Sequence, residues 1–182
     1  MTSPHPATVL DFWFAPEHVA LWFERSDDFD AACVAAMMPA HLAAVSGNLE
    51  GWKATADGTL ALVILLDQLP RNGFRGQPRA FASDAQARAV ARHALAHGFD
   101  LALPADRRRF FYLPFEHSET LADQFVAVAL FNTFGDEKLT FYAERHREIV
   151  ERFGRFPHRN AVLGRASTEA EQRFLEEPHS SF

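Results

Sequence analysis

The sequence predicts an all-α fold, and three observations support that prediction. Apolar residues recur at helical spacing between prolines and glycines, while no run alternates well enough to predict a strand. The segments LALVILL (60–66) and FVAVALF (125–131) are apolar on every side, a pattern typical of helices that are buried all round. Short connections favour antiparallel hairpins or a short solenoid, with the other helices packed around these two.

Residues that begin and end helices set the limits of the predicted elements. Ser83 with Gln86 and Thr168 with Glu171 have the spacing of capping boxes, in which each side chain binds the other residue's backbone N–H. Pro70 is expected to end the helix before it, because the residue preceding a proline avoids the α region. The predicted helices span 6–14, 17–24, 28–46, 58–69, 83–97, 105–111, 114–133, 136–153 and 168–176.

The length and composition predict one soluble, cytoplasmic domain. A chain of 182 residues can bury its own core, so residues 1–182 are expected to form a single all-helical domain. The single cysteine, Cys33, cannot form an intramolecular disulfide, which favours a reducing compartment. The N-terminus lacks the pattern of a signal peptide, and the longest apolar stretch, 60–66, is too short to span a bilayer.

Several activities find no support in the sequence. The net charge of −6 argues against general nucleic-acid binding, which requires a positive excess. No nucleophile elbow, phosphate-binding loop, dinucleotide fingerprint or zinc motif is present. Cys33 lies in an alanine-rich helical stretch, which is more typical of a small core residue than of a reactive thiolate. The sequence therefore predicts neither a cofactor nor a metal.

Two polar stretches lie at the ends of the two apolar helices. The first helix runs into Asp67-Gln68 and Arg71, and the second is entered through Glu116-His117-Ser118-Glu119. If the helices pack antiparallel, these ends lie side by side, and four carboxylates gather near His117 and Arg71: Asp67, Glu116, Glu119 and Asp123. The last three, at i, i+3 and i+7, would share one helix face.

This predicted cluster has two main interpretations, besides a metal site for which the signal is weak. Its groups cap helix ends and satisfy one another, since acidic side chains are favoured in the first turn of any helix. Alternatively, they form a ligand or catalytic site, in which His117 transfers a proton and a neighbouring carboxylate, Glu116, orients it.

A third polar stretch, 153–168, combines two glycines and a proline with cationic side chains. Arginine forks bind carboxylate or phosphate at two points, so this stretch predicts an anion site formed by Arg155, His158, Arg159, Asn160 and Arg165. An internal arginine–carboxylate network is the competing interpretation. It is favoured because Glu169 and Glu171 at the start of the next helix would repel phosphate.

Four motifs together resemble the bacterial domain-of-unknown-function family 924. They are VLDFWF, LLDQLPRNGFRG, FYLPFEHSE and RFGRFPHRNAVLGRASTEAE, and they occur in this order between about Val9 and Leu175. The resemblance implies an all-helical fold similar to tetratricopeptide-like right-handed superhelices, and it implies no established activity. It carries over no catalytic residue, and such a fold favours a binding scaffold only by analogy.

Two functions are therefore predicted for one set of residues. The first is a polar cleft for a small anionic ligand, with the arginines holding charge and with His117 and Glu116 moving protons. In the second, the same residues lock a tetratricopeptide-like scaffold that binds a peptide. The two differ in whether removal of a charged side chain destabilises the protein or leaves its stability unchanged.

Overall fold

A computed structural model describes residues 4–181, and these residues form helices and turns without a strand, which confirms the predicted all-α class. The backbone contacts group the chain into two compact units, each described by itself below. The first unit runs up to Arg75 and continues over Arg79–Pro114, and the second comprises Gly76–Pro78 and the chain from Phe115 onward. The single domain predicted over residues 1–182 stays a prediction.

The first unit surrounds one continuous helix that spans residues 56–73. The helices of this unit are α1 (Pro6–Trp13), α2 (Pro16–Val19), α3 (Asp27–Val45), α4 (Ala56–Val63), α5 (Leu69–Gly73), α6 (Asp84–Ala96) and α7 (Ala105–Arg108). A π-helical turn, Ile64–Gln68, joins α4 to α5, and α1, α3 and α6 pack around this central helix. Residues 60–66 are all buried, as predicted.

The π-helical turn is stabilised by side chains that bind its carbonyl oxygens. Pro70 has no N–H to donate to the Leu66 carbonyl, and the Ser83 hydroxyl donates to that oxygen at 2.6 Å instead. The His41 ring donates to the Leu65 carbonyl at 2.8 Å. The helix therefore continues to Gly73, and the prediction that Pro70 ends it is wrong.

Of the two predicted capping boxes, one is present. Thr168 and Glu171 exchange both hydrogen bonds at the start of the last helix, which confirms that prediction. Ser83 precedes α6 but makes no capping bond, because its hydroxyl is used at the Leu66 carbonyl. Gln86 donates to the Val45 carbonyl instead.

The second unit contains a helical hairpin and a short C-terminal helix. The chain enters this unit within α8 (Leu113–Glu116) and then forms α9 (Leu121–Asn132), α10 (Glu137–Phe153) and α11 (Glu169–Leu175). α9 and α10 pack against each other across a short connection. Ile149, Val150, Phe156 and Phe174 form a buried cluster in this unit.

Residues 114–133 do not form the single helix that the sequence predicts. The chain leaves the helix after Glu116 and resumes it at Leu121, because side chains replace the helical bonds in between. The Ser118 hydroxyl accepts the Thr120 N–H and donates to the Asp123 carboxylate. Glu116 therefore belongs to a different helix from Asp123, and the shared face predicted for the three carboxylates is wrong.

Two further predictions of helix extent and burial are also wrong. Residues 125–131 were expected to be buried on every side, but only Ala127 and Phe131 are buried. Helix α9 therefore has an apolar face that is exposed. The predicted helix 17–24 is shorter, since α2 ends at Val19.

Helix α3 is long and apolar enough, by length and composition alone, to cross a bilayer. A third of the residues in its apolar window are buried within the protein. Core helices of soluble proteins satisfy the same criterion, so this feature does not by itself indicate a membrane span.

We predict that Ser83→Ala lowers the free energy of unfolding by about 1–3 kcal/mol, because it leaves the buried Leu66 carbonyl without this donor. Ser46→Ala, at an exposed position, is the control and should change stability by less than about 0.5 kcal/mol. Urea denaturation followed by circular dichroism measures both. Equal effects of the two variants would contradict this role of Ser83.

Candidate functional site

The carboxylate of Glu119 binds the 154–168 loop at three points. It accepts two hydrogen bonds from the Arg165 guanidinium, at 2.7 and 2.8 Å, and one from the Phe156 backbone N–H at 2.8 Å. Burial alone would raise the pKa of Glu119, but the bonds from Arg165 and Phe156 outweigh it, so the pKa is lowered. This two-point pair between Arg165 and Glu119 joins the loop to the residues before α9.

A second two-point pair closes the other end of the same loop. Arg155 donates to Glu171 at 2.6 and 2.8 Å and to the Ala166 carbonyl at 2.9 Å. Glu171 also accepts the Thr168 N–H at 2.7 Å. The hydrogen bond from Arg155 is the main reason that the pKa of Glu171 is lowered from 4.5 to about 2.

Asn160 connects the two ends of the loop. Its side chain donates to the Ser167 hydroxyl at 3.0 Å and accepts from Arg165 at 3.0 Å. Arg155, Asn160 and Arg165 therefore form the internal arginine–carboxylate network that was one of the two interpretations of this stretch.

The buried ring of Phe156 is surrounded by polar side chains from the loop and from α10. The Arg159 guanidinium lies over this ring, with its carbon 4.5 Å from the centroid. The rings of His146 and His158 lie 5.5 and 5.6 Å from it. Arg159 and His146 are each only 6% exposed, while His158 is half-buried. We call His146, His158 and Arg159, together with Glu116 and His117, the Phe156 cluster.

The ring of His146 is held as a neutral imidazole. Its Nδ1 donates to the Tyr142 carbonyl at 2.8 Å, so that nitrogen carries the proton and Nε2 carries the lone pair. Burial lowers its pKa well below 6.5, and the neighbouring cationic groups, including Arg159, lower it further. Glu116 lies 3.5 Å from Nδ1, but a neutral ring forms no ion pair with it.

His117 lies at the half-buried edge of the cluster, with its ring centroid 6.4 Å from that of His146. On either side of His117 along the chain, the carbonyls of Glu116 and Ser118 accept hydrogen bonds from the Gln124 side-chain nitrogen, at 2.7 and 2.6 Å. Gln124 is fully buried, so it fixes the turn that carries His117 to the first turn of α9.

The structure places Asp67 and Arg71 in the first unit and the other predicted site residues in the second. Arg71 donates to the Asp84 carboxylate at 2.9 Å, and its guanidinium lies 3.1 Å from the Asp67 carboxylate. Asp67 also accepts from Gln68 at 2.6 Å. These bonds satisfy the groups within their own unit. The predicted gathering of Asp67 with the carboxylates of the second unit stays a prediction.

Sequence reasoning missed His146, and it did not assign Phe156 or Gln124 to the site. His146 lies on the apolar face of α10, with Ala143, Ile149 and Val150, and a histidine among buried positions of an amphipathic helix was an available signal. Gln124 stands at the start of an apolar run, and nothing in its sequence position shows which carbonyls it binds.

Metal ligation has no geometric support among residues 4–181. Within that range, no group of three histidine, cysteine or acidic side chains is arranged to hold a metal ion.

The model of one protein family matches residues 9–179, and its description is "Bacterial protein of unknown function (DUF924)". The chain belongs to the DUF924 family. It is also similar to a solved structure of a protein of unknown function from Agrobacterium tumefaciens. The two are 44% identical with a TM-score of 0.88, and the alignment covers 94% of this chain and 96% of that one. No curated protein matches the chain.

We predict that the Arg155–Glu171 pair makes stability depend on acidic pH. Because the pKa of Glu171 is about 2 in the folded protein against about 4.5 in the unfolded chain, the stabilisation is complete above pH 4.5. It is lost between pH 4.5 and 2, because there the unfolded chain binds a proton at Glu171 that the folded protein does not bind.

The measurement is the free energy of unfolding between pH 5 and 2, in the wild type and in Glu171→Gln. The variant should be less stable at pH 5, and its stability should decline less as the pH falls. Glu148→Gln, on the exposed surface of α10, is the control and should follow the wild type. Parallel curves for the wild type and Glu171→Gln would show that the pair does not contribute.

Proposed function

We propose that the second unit of this DUF924 protein binds a small anionic ligand at the Phe156 cluster. The observation that carries the proposal is the Arg159 guanidinium, buried over the Phe156 ring beside His146 and His158. A guanidinium presents planar donors that match a carboxylate or phosphate, and a buried position strengthens that attraction.

The Arg155–Glu171 and Arg165–Glu119 pairs reduce the number of residues in the ligand site, compared with the site predicted from the sequence. Arg155 and Arg165 each bind a carboxylate at two points, so we assign them to the structure of the loop. The ligand site proposed here is smaller than the predicted one and is built around the Phe156 ring.

Positive potential in the cluster supports an anionic ligand. Burial, followed by the charge of Arg159, lowers the pKa of His158 from 6.5 to about 4. The charge of Arg159 also disfavours a proton on His146. The charge of Arg159, which disfavours a proton on each of these rings, attracts an anion for the same electrostatic reason.

The positions of His117, His158 and Glu116 suggest where a ligand enters the cluster and which side chain exchanges protons with it. His117 and His158 are half-buried, so a ligand enters beside them, while Glu116 is 5% exposed and lies against His146. In this proposal Glu116 orients His146, and His117 exchanges protons with the ligand.

A tetratricopeptide-like superhelix that binds a peptide is the second candidate, and one observation favours it. Helix α9 exposes apolar side chains, among them Leu121 and Phe125, the latter 52% exposed. Large exposed apolar side chains on one helix face are typical of protein-binding surfaces. In this alternative the Phe156 cluster is a structural lock, and none of the anions tested below binds. For either function we propose a cytoplasmic location, consistent with the buried free thiol of Cys33.

The test is thermal unfolding with acetate, malonate, phosphate or sulfate, each compared with sodium chloride at equal ionic strength. Binding to the native state raises the midpoint, by about 5–11 °C for a chain of this size at a hundred times the dissociation constant. We expect at least one anion to raise the midpoint of the wild type and not that of Arg159→Gln.

Arg147→Gln is the matched control, because Arg147 is an arginine on the surface of α10 that pairs with Glu144 and Glu151. It should keep the wild-type response. If Arg159→Gln does not fold, His117→Asn replaces it, and this variant should weaken the response. The proposal is wrong if no anion stabilises the wild type, or if the surface variant loses the response equally.

A further inference from the structure

A small pocket opens on the first unit beside the π-helical turn. Its volume is about 100 Å³, and its walls come from α3, the central helix, α6 and a short 3-10 helix, Glu50–Ala54. Ala89 on α6 is exposed, so the pocket is open to solvent on that side. The apolar lining consists of Ala44, Leu49, Leu62, Leu66, Ala89 and Val90.

Two opposite charges also line this pocket, and both reach solvent. The Lys53 ammonium donates to the Glu50 carboxylate at 2.6 Å. Their side chains are 27% and 66% exposed, so water screens the attraction between them and the pair contributes little to stability. Both groups can therefore turn to a ligand at the mouth of the pocket at little cost.

The 3-10 helix that carries these charges is held in place on two sides. His93 of α6 donates from Nε2 to the Lys53 carbonyl at 3.0 Å. Gly58 of α4 lies so close to the Trp52 carbonyl oxygen that a Cβ at position 58 would overlap it. The wall is thus formed before any ligand arrives, which lowers the entropy that binding costs.

We infer that this pocket binds a free α-amino acid with a branched aliphatic side chain, of the class of leucine, isoleucine and valine. The side chain enters the apolar pocket, the ammonium group pairs with Glu50 and the carboxylate pairs with Lys53. This site lies in the first unit and does not depend on the anion site proposed for the second.

The pair of charges favours a ligand that carries both signs. A simple carboxylate would be attracted by Lys53 and repelled by Glu50, and a simple amine would meet the reverse. A zwitterion places each of its charges against the opposite one, and such complementarity selects between ligands of similar shape. The α-ammonium and α-carboxylate of an amino acid are held close together, as are the two groups of the protein.

The volume of the pocket limits the apolar part of the ligand. A dry cavity of about 150 Å³ lined by aliphatic and aromatic side chains holds the six carbons of benzene, so about 100 Å³ holds roughly four. Leucine and isoleucine have side chains of four carbons and valine has three, whereas phenylalanine has seven. Each buried methylene strengthens binding about fourfold, so alanine should bind much more weakly than leucine.

The test is a titration of the full chain with L-leucine, followed in ¹H–¹⁵N correlation spectra at pH 7 and constant ionic strength. The amides of Leu49, Lys53, Ala89 and Val90 report on the pocket. Two analogues with the same apolar part each lack one charge: 4-methylpentanoate has no ammonium group, and 3-methylbutylamine has no carboxylate. L-Alanine and L-phenylalanine test the size limit.

We expect L-leucine to shift these amides to saturation, and each one-charge analogue to bind about threefold more weakly or worse. L-Alanine and L-phenylalanine should also bind more weakly. Glu50→Gln should weaken binding of L-leucine and of 3-methylbutylamine but not that of 4-methylpentanoate. Lys53→Gln should weaken binding of L-leucine and of 4-methylpentanoate but not that of the amine.

A variant that fills the pocket tests its location. Ala89→Leu places a larger apolar side chain at the exposed edge of the pocket and should abolish L-leucine binding. Ala85→Leu is the matched control, because Ala85 is an exposed alanine one turn earlier on α6 that does not line the pocket, and it should bind L-leucine as the wild type does.

Three results would overturn the inference. One is the absence of saturable shifts with L-leucine. Another is L-leucine binding that Ala89→Leu retains, which would place the ligand elsewhere. The third is equal binding of L-leucine and either one-charge analogue, which would show an apolar pocket that does not recognise the amino-acid head group.

Discussion

Within the second unit, the carboxylate of Glu119 holds the loop that carries the candidate site. One oxygen accepts both the Phe156 N–H and an Arg165 N–H, and the other oxygen accepts a second bond from Arg165. Phe156 is thereby fixed as the surface over which Arg159 lies. Without this acceptor, the Phe156 N–H and the Arg165 guanidinium would both lose a hydrogen-bond partner. The resulting loss in the free energy of unfolding is larger than that from breaking a single exposed ion pair.

Side chains also satisfy backbone groups at the irregular helical segments of both units. The π-helical turn of the first unit and the break before α9 in the second leave backbone groups without their helical partners. Ser83 satisfies a carbonyl in the first case, and Gln124 satisfies two in the second. Polar residues of this kind, which look like candidates for chemistry in the sequence, thus satisfy the backbone.

Much of the fold could be predicted because it depends on local pattern. The central helix of the first unit has no polar side, so its burial follows from its composition alone. The capping box at Thr168 needs only spacing. The break at 117–120 could not be predicted, because it depends on where the Ser118 and Gln124 side chains bind. The same limitation explains the wrong prediction at Pro70, where Ser83, distant in sequence, supplies the missing donor.

Only part of the site could be predicted, because residue types are visible in the sequence and contacts between distant segments are not. Charge and residue type identified Glu119, Arg155, Arg159 and Arg165 as members of one network or site. They could not show that Arg155 and Arg165 would each bind a carboxylate at two points, nor that Arg159 would lie on an aromatic ring. That division depends on the packing of three segments that are separate in the sequence. His146 escaped notice because it stands among apolar residues of α10.

The central claim is that Glu119 fixes the backbone at Phe156, and native-state hydrogen exchange of the Phe156 amide tests it most directly. We predict that this amide is protected in the wild type and exchanges faster in Glu119→Ala, while Glu148→Ala, at an exposed position of α10, leaves its protection unchanged. A Phe156 amide that exchanges as fast as an exposed one in the wild type, or that keeps its protection in Glu119→Ala, would contradict the account.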